Sequence, residues 1–155
     1  SQKARMTEDR QMLVFKLQDE EVGLDISCVR EVLKLQEIHS LPQAPDFVEG
    51  VINLRNHIIA VIDLRKRFRL KAGSDTSEAR ILVCSLKKFI AGLIVDSVSG
   101  IVSISEKQID PTPEVVSRHI ANNCLSGVAR LGERVIALID PQKLLDKDEE
   151  KELFK

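Results

Sequence analysis

The residues that could do chemistry in this chain are few and scattered. His39, His57 and His119 are far apart in the sequence, without an HxxxH pattern or a second ligand at metal-binding spacing. The sequence places no two carboxylates together for acid–base catalysis, and it has none of the phosphate-loop, dinucleotide-binding or nucleophile-elbow patterns. We interpret the histidines as surface or turn residues. We therefore predict that the protein is not an enzyme and that it holds no metal or cofactor.

A cluster of basic residues could bind phosphates: Arg65, Lys66, Arg67, Arg69 and Lys71. The chain has no Trp or Tyr, however, and its five Phe residues are not interleaved with these charges for base stacking. Its net charge of −1 also gives no field that would attract nucleic acid or an anionic membrane. We interpret the cluster as a solvated helix face with apolar stems, and we expect no nucleic-acid partner.

The three cysteines indicate a reducing compartment. Cys28, Cys84 and Cys124 are odd in number, lack CxxC spacing, and lie in or beside apolar or small-residue segments, as reduced core cysteines do. Residues 1–10 show no signal-peptide pattern, and the longest apolar runs are far shorter than the roughly 20 residues of a spanning helix. We expect a cytoplasmic protein without direct membrane insertion.

An internal duplication supplies the elements that must position any site. "MLVFKL" (12–17) aligns with "ILVCSL" (81–86), which lies 69 residues further on. "GVINLRNHIIAVIDLRKRF" (50–68) aligns with "GVARLGERVIALIDPQKLL" (127–145), which lies 77 residues further on. We predict two repeat units, about 11–70 and 80–147, joined by a polar linker.

The segments within each repeat are typical of an all-β barrel, since they are short, rich in Val, Ile and Leu, and broken by turn residues. "RNH" and "GER" predict hairpin turns. The runs 58–62 and 135–139 are apolar throughout, which predicts strands covered on both faces. Asp63 and Asp140 occupy helix N-cap positions. Short helices are predicted at 63–69, within 112–121 and at about 140–153.

The same segments resemble a known family. Four of them resemble the CheW family, adaptors that couple chemoreceptors to the histidine kinase CheA: "MLVFKLQDEEVGLDISCVREV", "LPQAPDFVEGVINLRNHIIAVIDLRKRF", "AGLIVDSVSGIV" and "QIDPTPE". The resemblance covers about residues 11–147. It implies two small, intertwined five-stranded barrels of SH3-like or OB-like type, between which strands can be exchanged. We expect residues 1–10 and 148–155 to be flexible termini.

The resemblance also implies where partners bind, and it implies no catalytic activity. A groove between the barrels would hold the cytoplasmic tip of a chemoreceptor, and a separate surface would bind the regulatory domain of CheA. The implied receptor-binding residues are Val29, Glu31, Val32, Gly50, Arg55, Val98 and Ile101. The implied kinase-binding residues are Ile38, Leu41 and Val115.

Arg55 is the most specific of these predictions, because the second repeat has Gly132 at the matching position. An exposed guanidinium can make a forked contact with a carboxylate or with carbonyls. The alternative is a turn arginine held by a neighbouring strand. Asn56 replaces the family's usual Gly, and we expect the turn to survive because Asn tolerates positive φ. Val115 stands where family members commonly have an aromatic residue, which can help the adaptor pack against a kinase domain in a ring. The substitution weakens the expectation that this chain forms such rings.

Three functions remain open from the sequence. The favoured one is a stand-alone scaffold, monomeric in isolation, that couples methyl-accepting chemoreceptors to CheA in arrays at the inner face of the cell membrane. The second is a CheW-like regulatory domain of a larger kinase or of a receiver-containing adaptor. The third is a small-ligand or oligonucleotide-binding barrel, which predicts pocket residues that the sequence does not show.

Overall fold

The computed structural model describes residues 9–70, 76–111 and 124–153. Within these ranges the chain forms eleven strands: β1 (Asp9–Leu17), β2 (Glu20–Asp25), β3 (Val29–Lys34), β4 (Val48–Leu54), β5 (His57–Asp63), β6 (Arg80–Leu86), β7 (Phe89–Val95), β8 (Ser97–Ser105), β9 (Ile109–Asp110), β10 (Leu125–Leu131) and β11 (Arg134–Ile139). The α-helices there are short: α1 (Leu64–Arg67) and α2 (Lys147–Leu153). Single 3-10 turns lie at Ile26–Cys28, Glu106–Gln108 and Pro141–Lys143.

Each of the two sheets combines strands from both sequence repeats. The first, which we call the first barrel, has the strand order β3-β6-β7-β5-β4, and the second barrel has the order β8-β1-β2-β11-β10-β9. The hairpin β6–β7 of the second repeat therefore lies among strands of the first repeat, and the hairpin β1–β2 is exchanged in the opposite direction. Each exchanged hairpin joins its sheet on one side through a parallel pair, β5 with β7 and β2 with β11. On the other side it joins through an antiparallel pair, β3 with β6 and β8 with β1.

Both sheets close on themselves through the chain that follows an edge strand. In the first barrel, His39 follows β3 and pairs with Val51 of β4 through two backbone hydrogen bonds of 2.9 and 2.8 Å. In the second barrel, β8 runs through a 3-10 turn into β9, which pairs with β10. The predicted all-β fold of two intertwined barrels is confirmed, and the structure shows the strand exchange that the sequence left open. The two-residue strand β9 is an addition to the expected five.

A glycine permits this closure in each barrel. Gly50 has φ +146°, and a Cβ at this position would overlap the backbone carbonyl of His39. At the matching Gly127, a Cβ would lie 3.0 Å from the carbonyl oxygen of Asp110. Both repeats need glycine here because two backbones approach closely.

Three apolar clusters hold the barrels together. The cluster inside the second barrel consists of Met12, Val14, Ile104, Ala129, Ile136 and Leu138. The cluster inside the first barrel consists of Ile52, Ile59, Val61, Ile81, Val83 and Ile94. The third and largest cluster takes the alternate residues of the same strands from both sheets, among them Leu13 and Phe15 of β1 and Leu82 and Cys84 of β6. It therefore lies between the barrels. A strand such as β1 is buried on both faces, which explains its unbroken apolar run.

The first residue of each apolar run contradicts the prediction of burial. Ile58 is 68% exposed and Val135 is 60% exposed, because each lies next to a hairpin turn, before its strand enters the core. Burial begins at Ile59 and at Ile136. The runs 58–62 and 135–139 are thus covered on both faces only in part.

The predicted helices are shorter than expected. Asp63 and Asp140 do cap, since their carboxylates accept hydrogen bonds from the second residue beyond each of them. The segment 140–153 is not one continuous helix: a stretch that contains the buried Leu144 and Leu145 separates the 3-10 turn from α2. The predicted helix within 112–121, like His119 and Val115, lies outside the described residues.

The basic cluster is not the solvated face that was expected. Arg65 is 4% exposed, and its guanidinium donates to Asp63 at 3.0 and 2.9 Å and to Asp96 at 3.3 Å. Arg67 donates to the carbonyl oxygen of Leu144 at 2.6 Å and lies 5.0 Å from the ring centroid of Phe47. The interpretation is wrong for these two arginines because the packing of the repeats places carboxylates and a carbonyl beside α1.

Parts of the segments expected to be flexible termini are in regular secondary structure. Asp9 and Arg10 begin β1, and α2 extends to Leu153. Lys87 pairs with Glu150 of α2 at 3.1 Å. The boundaries of the domain, 11–147, remain a prediction.

Candidate functional site

Arg55 and Glu31 form a forked ion pair on the first barrel. Nη1 and Nη2 of Arg55 donate to the two carboxylate oxygens of Glu31 at 2.7 and 2.9 Å. Arg55 lies in the β4–β5 turn and Glu31 lies in β3, so the pair joins elements at opposite ends of the strand order. The sequence predicted both residues as separate anchors, and the barrel closure brings them together.

The ion pair leaves hydrogen-bonding capacity for a partner. The side chain of Arg55 is 70% exposed, whereas that of Glu31 is 26% exposed. The hydrogen bond from Arg55 lowers the pKa of Glu31, and the same bond raises the pKa of Arg55, so both groups are charged at neutral pH. Because a guanidinium has five N–H donors, the fork to Glu31 leaves others to face solvent. The arginine is held by a neighbouring strand and is also presented to solvent.

The turn that carries Arg55 has the geometry that two-residue hairpins need. Arg55 has φ 49° and Asn56 has φ 69°, both in the left-handed region. The backbone N–H of Asn56 donates to Oδ1 of Asn53 at 3.0 Å. The expectation that the turn survives with Asn56 in place of Gly is therefore met.

The four bulky apolar residues of the implied receptor-binding set divide into two that are exposed and two that are half-buried. Val32 is 42% exposed and Ile101 is 58% exposed, at matching positions of β3 and β8, the edge strands of the two barrels. Val29 and Val98 pack against the cluster between the barrels. Large exposed apolar residues on edge strands suit the apolar face of a partner helix.

Gly50 is buried, and the structure gives it the closing contact with His39 described above. Its implied contribution to receptor binding stays a prediction. Of the implied kinase-binding residues, Ile38 packs against the interior of the first barrel. Leu41 is 40% exposed and lines a groove of about 420 Å³ with Pro42, Pro45 and Leu153 of α2. Leu41 is thus the one described residue of that set with a large exposed apolar surface.

Sequence reasoning missed a second groove, of about 460 Å³, which is lined by Arg55 and by Arg30, Ile58, Lys88, Phe89 and Ile90 among others. The sequence pattern predicts burial for Ile58 because this residue begins an apolar run. A usable signal was its position directly after the turn residues, where a strand has not yet entered the barrel.

Two further kinds of site have no support in the part of the chain that is described. Its His, Cys, Asp and Glu side chains form no group of three or more that could hold a metal ion. None of its helices has the length and apolar character that crossing a membrane requires.

Residues 11–149 match the family model described as a CheW-like domain. The chain belongs to the CheW family. It is 36% identical over 149 residues to the chemotaxis protein CheW of Klebsiella aerogenes, covering 96% of this chain and 89% of that relative. It is 31% identical over 146 residues to the chemotaxis protein CheW of Treponema pallidum, covering 92% and 85%.

A solved structure of this family has the same fold. The crystal structure of the scaffolding protein TtCheW from Thermoanaerobacter tengcongensis superposes with a TM-score of 0.84 at 37% sequence identity. The match covers 90% of this chain and 94% of that protein. The exchanged barrels described above are thus built like those of a CheW scaffold.

Proposed function

We propose that this chain is a non-catalytic adaptor that couples chemoreceptors to the histidine kinase CheA. The observation that carries the proposal is the exposed fork of Arg55 and Glu31 in a chain that belongs to the CheW family. Relatives named chemotaxis protein CheW, and a related structure described as a scaffolding protein, support the same role. They support neither the kinase-domain nor the ligand-binding alternative.

The cytoplasmic tip of the receptor would dock as an amphipathic helix. Val32 and Ile101 offer exposed apolar surface for its buried face, and Val29 and Val98 support that surface from the cluster between the barrels. Arg55, oriented by Glu31, would donate hydrogen bonds to carbonyls or a carboxylate at the edge of that helix. Gly50 would contribute by shaping the β4 edge.

The regulatory domain of CheA would use a separate surface around Leu41, with Ile38 holding this segment against the barrel and Val115 contributing outside the described residues. Two separate surfaces allow both partners to bind at once, which coupling requires. We propose that the adaptor is cytoplasmic and monomeric in isolation, and that its partners recruit it to arrays at the inner face of the membrane.

Replacing Arg55 with Ala tests the receptor surface. We expect binding to a receptor signalling domain to weaken by about tenfold, because exposed arginines at protein interfaces are frequent hot spots. The thermal midpoint should hardly change, since the side chain is mostly exposed. Titration calorimetry and a melting curve on the same samples measure both quantities.

The second barrel offers a matched control. Arg134 makes a similar fork with Glu21, at 3.0 and 2.8 Å, and its side chain is 45% exposed. Arg134→Ala should bind the receptor domain like the parent. The proposed surface is wrong if Arg55→Ala also binds like the parent, or if it loses the receptor only because it has unfolded.

A further inference from the structure

The groove beside Arg55 has an apolar floor and an apolar wall. Ile59 and Val83 form the floor and are 5% and 2% exposed. Ile58 of β5 stands at the wall with 68% of its surface exposed, and Phe89 and Ile90 of β7 are half-buried. Covering such a side chain removes apolar surface from water, which favours a partner that brings an apolar side chain of its own.

The charges that line this groove are mostly positive. Arg30, Arg55 and Lys88 are the cations, and Glu31 is the carboxylate, already engaged by Arg55. Among the residues that the structure describes, no ion pair within 4 Å involves Arg30 or Lys88, and Arg30 acts on Glu31 only through its charge, by lowering the pKa of that carboxyl after the larger effect of Arg55. Because the cations are in excess, the groove favours a partner segment with carboxylates beside its apolar residue.

The second barrel shows that the fold does not require this groove. His57 and Ile90, which line the groove, align with Arg134 and Glu21 in the other repeat. There the forked ion pair of 3.0 and 2.8 Å bridges β11 and β2. The same strand pairing is thus built with an ion pair in one barrel and with an open apolar groove in the other.

We propose that this groove binds an apolar side chain on an acidic stretch of the receptor, next to the segment that contacts Arg55. The inference rests on the proposed function, and it extends the receptor surface past the Arg55–Glu31 fork onto β5 and β7. Continuity supports this choice of occupant, because Glu31 and Arg55 line the groove and also belong to the proposed receptor surface.

The test compares Ile58→Glu with Val135→Glu, which introduce the same carboxylate at matching positions of the two barrels. Ile58 and Val135 are similarly exposed, at 68% and 60%, so neither change should unfold the chain. In calorimetric titrations with a purified receptor signalling domain, we expect Ile58→Glu to lose tenfold or more in affinity. Val135→Glu should stay within about twofold of the parent, and both melting curves should match that of the parent.

A charge reversal tests the acidic character of the partner. Lys88→Glu should lose several-fold in affinity at low ionic strength and converge on the parent at high ionic strength, because exposed charges are screened by salt. A loss that does not depend on salt would overturn this part of the proposal.

The receptor is not the occupant of the groove if Ile58→Glu binds the receptor domain like the parent, or if Val135→Glu loses as much affinity for that domain. The same conclusion follows if Ile58→Glu weakens binding only to the CheA domain. A parent protein that binds no receptor domain would overturn the proposed function and this inference together. If Arg55→Ala loses the receptor and Ile58→Glu retains it, the proposed function stands and this inference falls.

Discussion

Replacing Arg65 with Met should destabilise the fold by about 3 kcal/mol, at the lower end of the 3–5 kcal/mol typical of a broken buried ion pair. The side chains of Arg65 and Asp63 are 5% and 2% exposed, so the change leaves the carboxylate of Asp63 buried without its cation. We expect the lower end of that energy range because Asp63 still accepts a 2.9 Å hydrogen bond from the backbone N–H of residue 65. The second partner, Asp96, is 28% exposed and keeps a 2.6 Å hydrogen bond from the backbone N–H of Gln18.

Urea denaturation of the parent and Arg65→Met measures this loss, and the thermal midpoint should fall by roughly 6–12 °C for a chain of this size. The double variant Arg65→Met with Asp63→Asn should recover about 1–2 kcal/mol, because the stranded charge is gone. Gln142 occupies the matching position in the second repeat. Gln142→Met should cost less than about 1 kcal/mol, since its side chain is uncharged, its Nε2 makes one long hydrogen bond of 3.3 Å to the Ser85 carbonyl oxygen, and its Oε1 is buried without a hydrogen bond. An Arg65→Met protein within 1 kcal/mol of the parent would refute this reasoning.

Two other predictions concern the glycine closure and a buried thiol. Gly50→Ala should lower the free energy of unfolding, measured by urea denaturation, by about 3 kcal/mol, because the added Cβ would overlap the His39 carbonyl. The loss for Gly127→Ala should be smaller. Equal losses for the two variants would argue against the closure contact. Burial raises the pKa of Cys84 from 9.0 to about 12, so the neutral thiol's contribution to stability is full below pH 9 and is lost as the pH rises towards 12. Between pH 9 and 10.5, the free energy of unfolding should fall less steeply with pH for Cys84→Ala than for the parent. The difference between the two slopes should be up to about 1.4 kcal/mol per pH unit. Parallel curves for the two proteins would contradict this prediction.

The strands could be predicted from the sequence, but their partners could not. Short apolar segments, turn residues and the duplication indicated the hairpins and the N-caps at Asp63 and Asp140. The exchange has no local signal, because "MLVFKL" and "ILVCSL" present the same alternation of apolar faces to whichever sheet receives them. Only the packing of all strands together decides that β2 pairs with β11 and β7 pairs with β5.

The same distinction applies to the site. Arg55 could be singled out because one repeat has it and the other has Gly132, and Glu31 stands out against Gly100 for the same reason. Their ion pair could not be predicted, since it spans the closure of the barrel. Ile58 and Arg65 were both misassigned by the rule that apolar residues are buried and charged residues are exposed. That rule fails where a strand begins outside its barrel and where a buried arginine finds carboxylate partners.

The two kinds of arginine in the first repeat explain why only one copy of the duplicated hairpin is rich in charge. The apolar residues shared by both copies build the cores, so the cores themselves need no charged side chains. Arg65 and Arg67 instead bind groups that other parts of the chain bring to α1, namely Asp96 and the carbonyl oxygen of Leu144. Arg55 faces solvent from a hairpin turn, and Gly132 has positive φ at the matching position of the second repeat without a side chain. Variants of Arg65 and Arg67 should therefore change stability, whereas variants of Arg55 should change recognition, because the fold depends on the contacts of the first two arginines and not on those of Arg55.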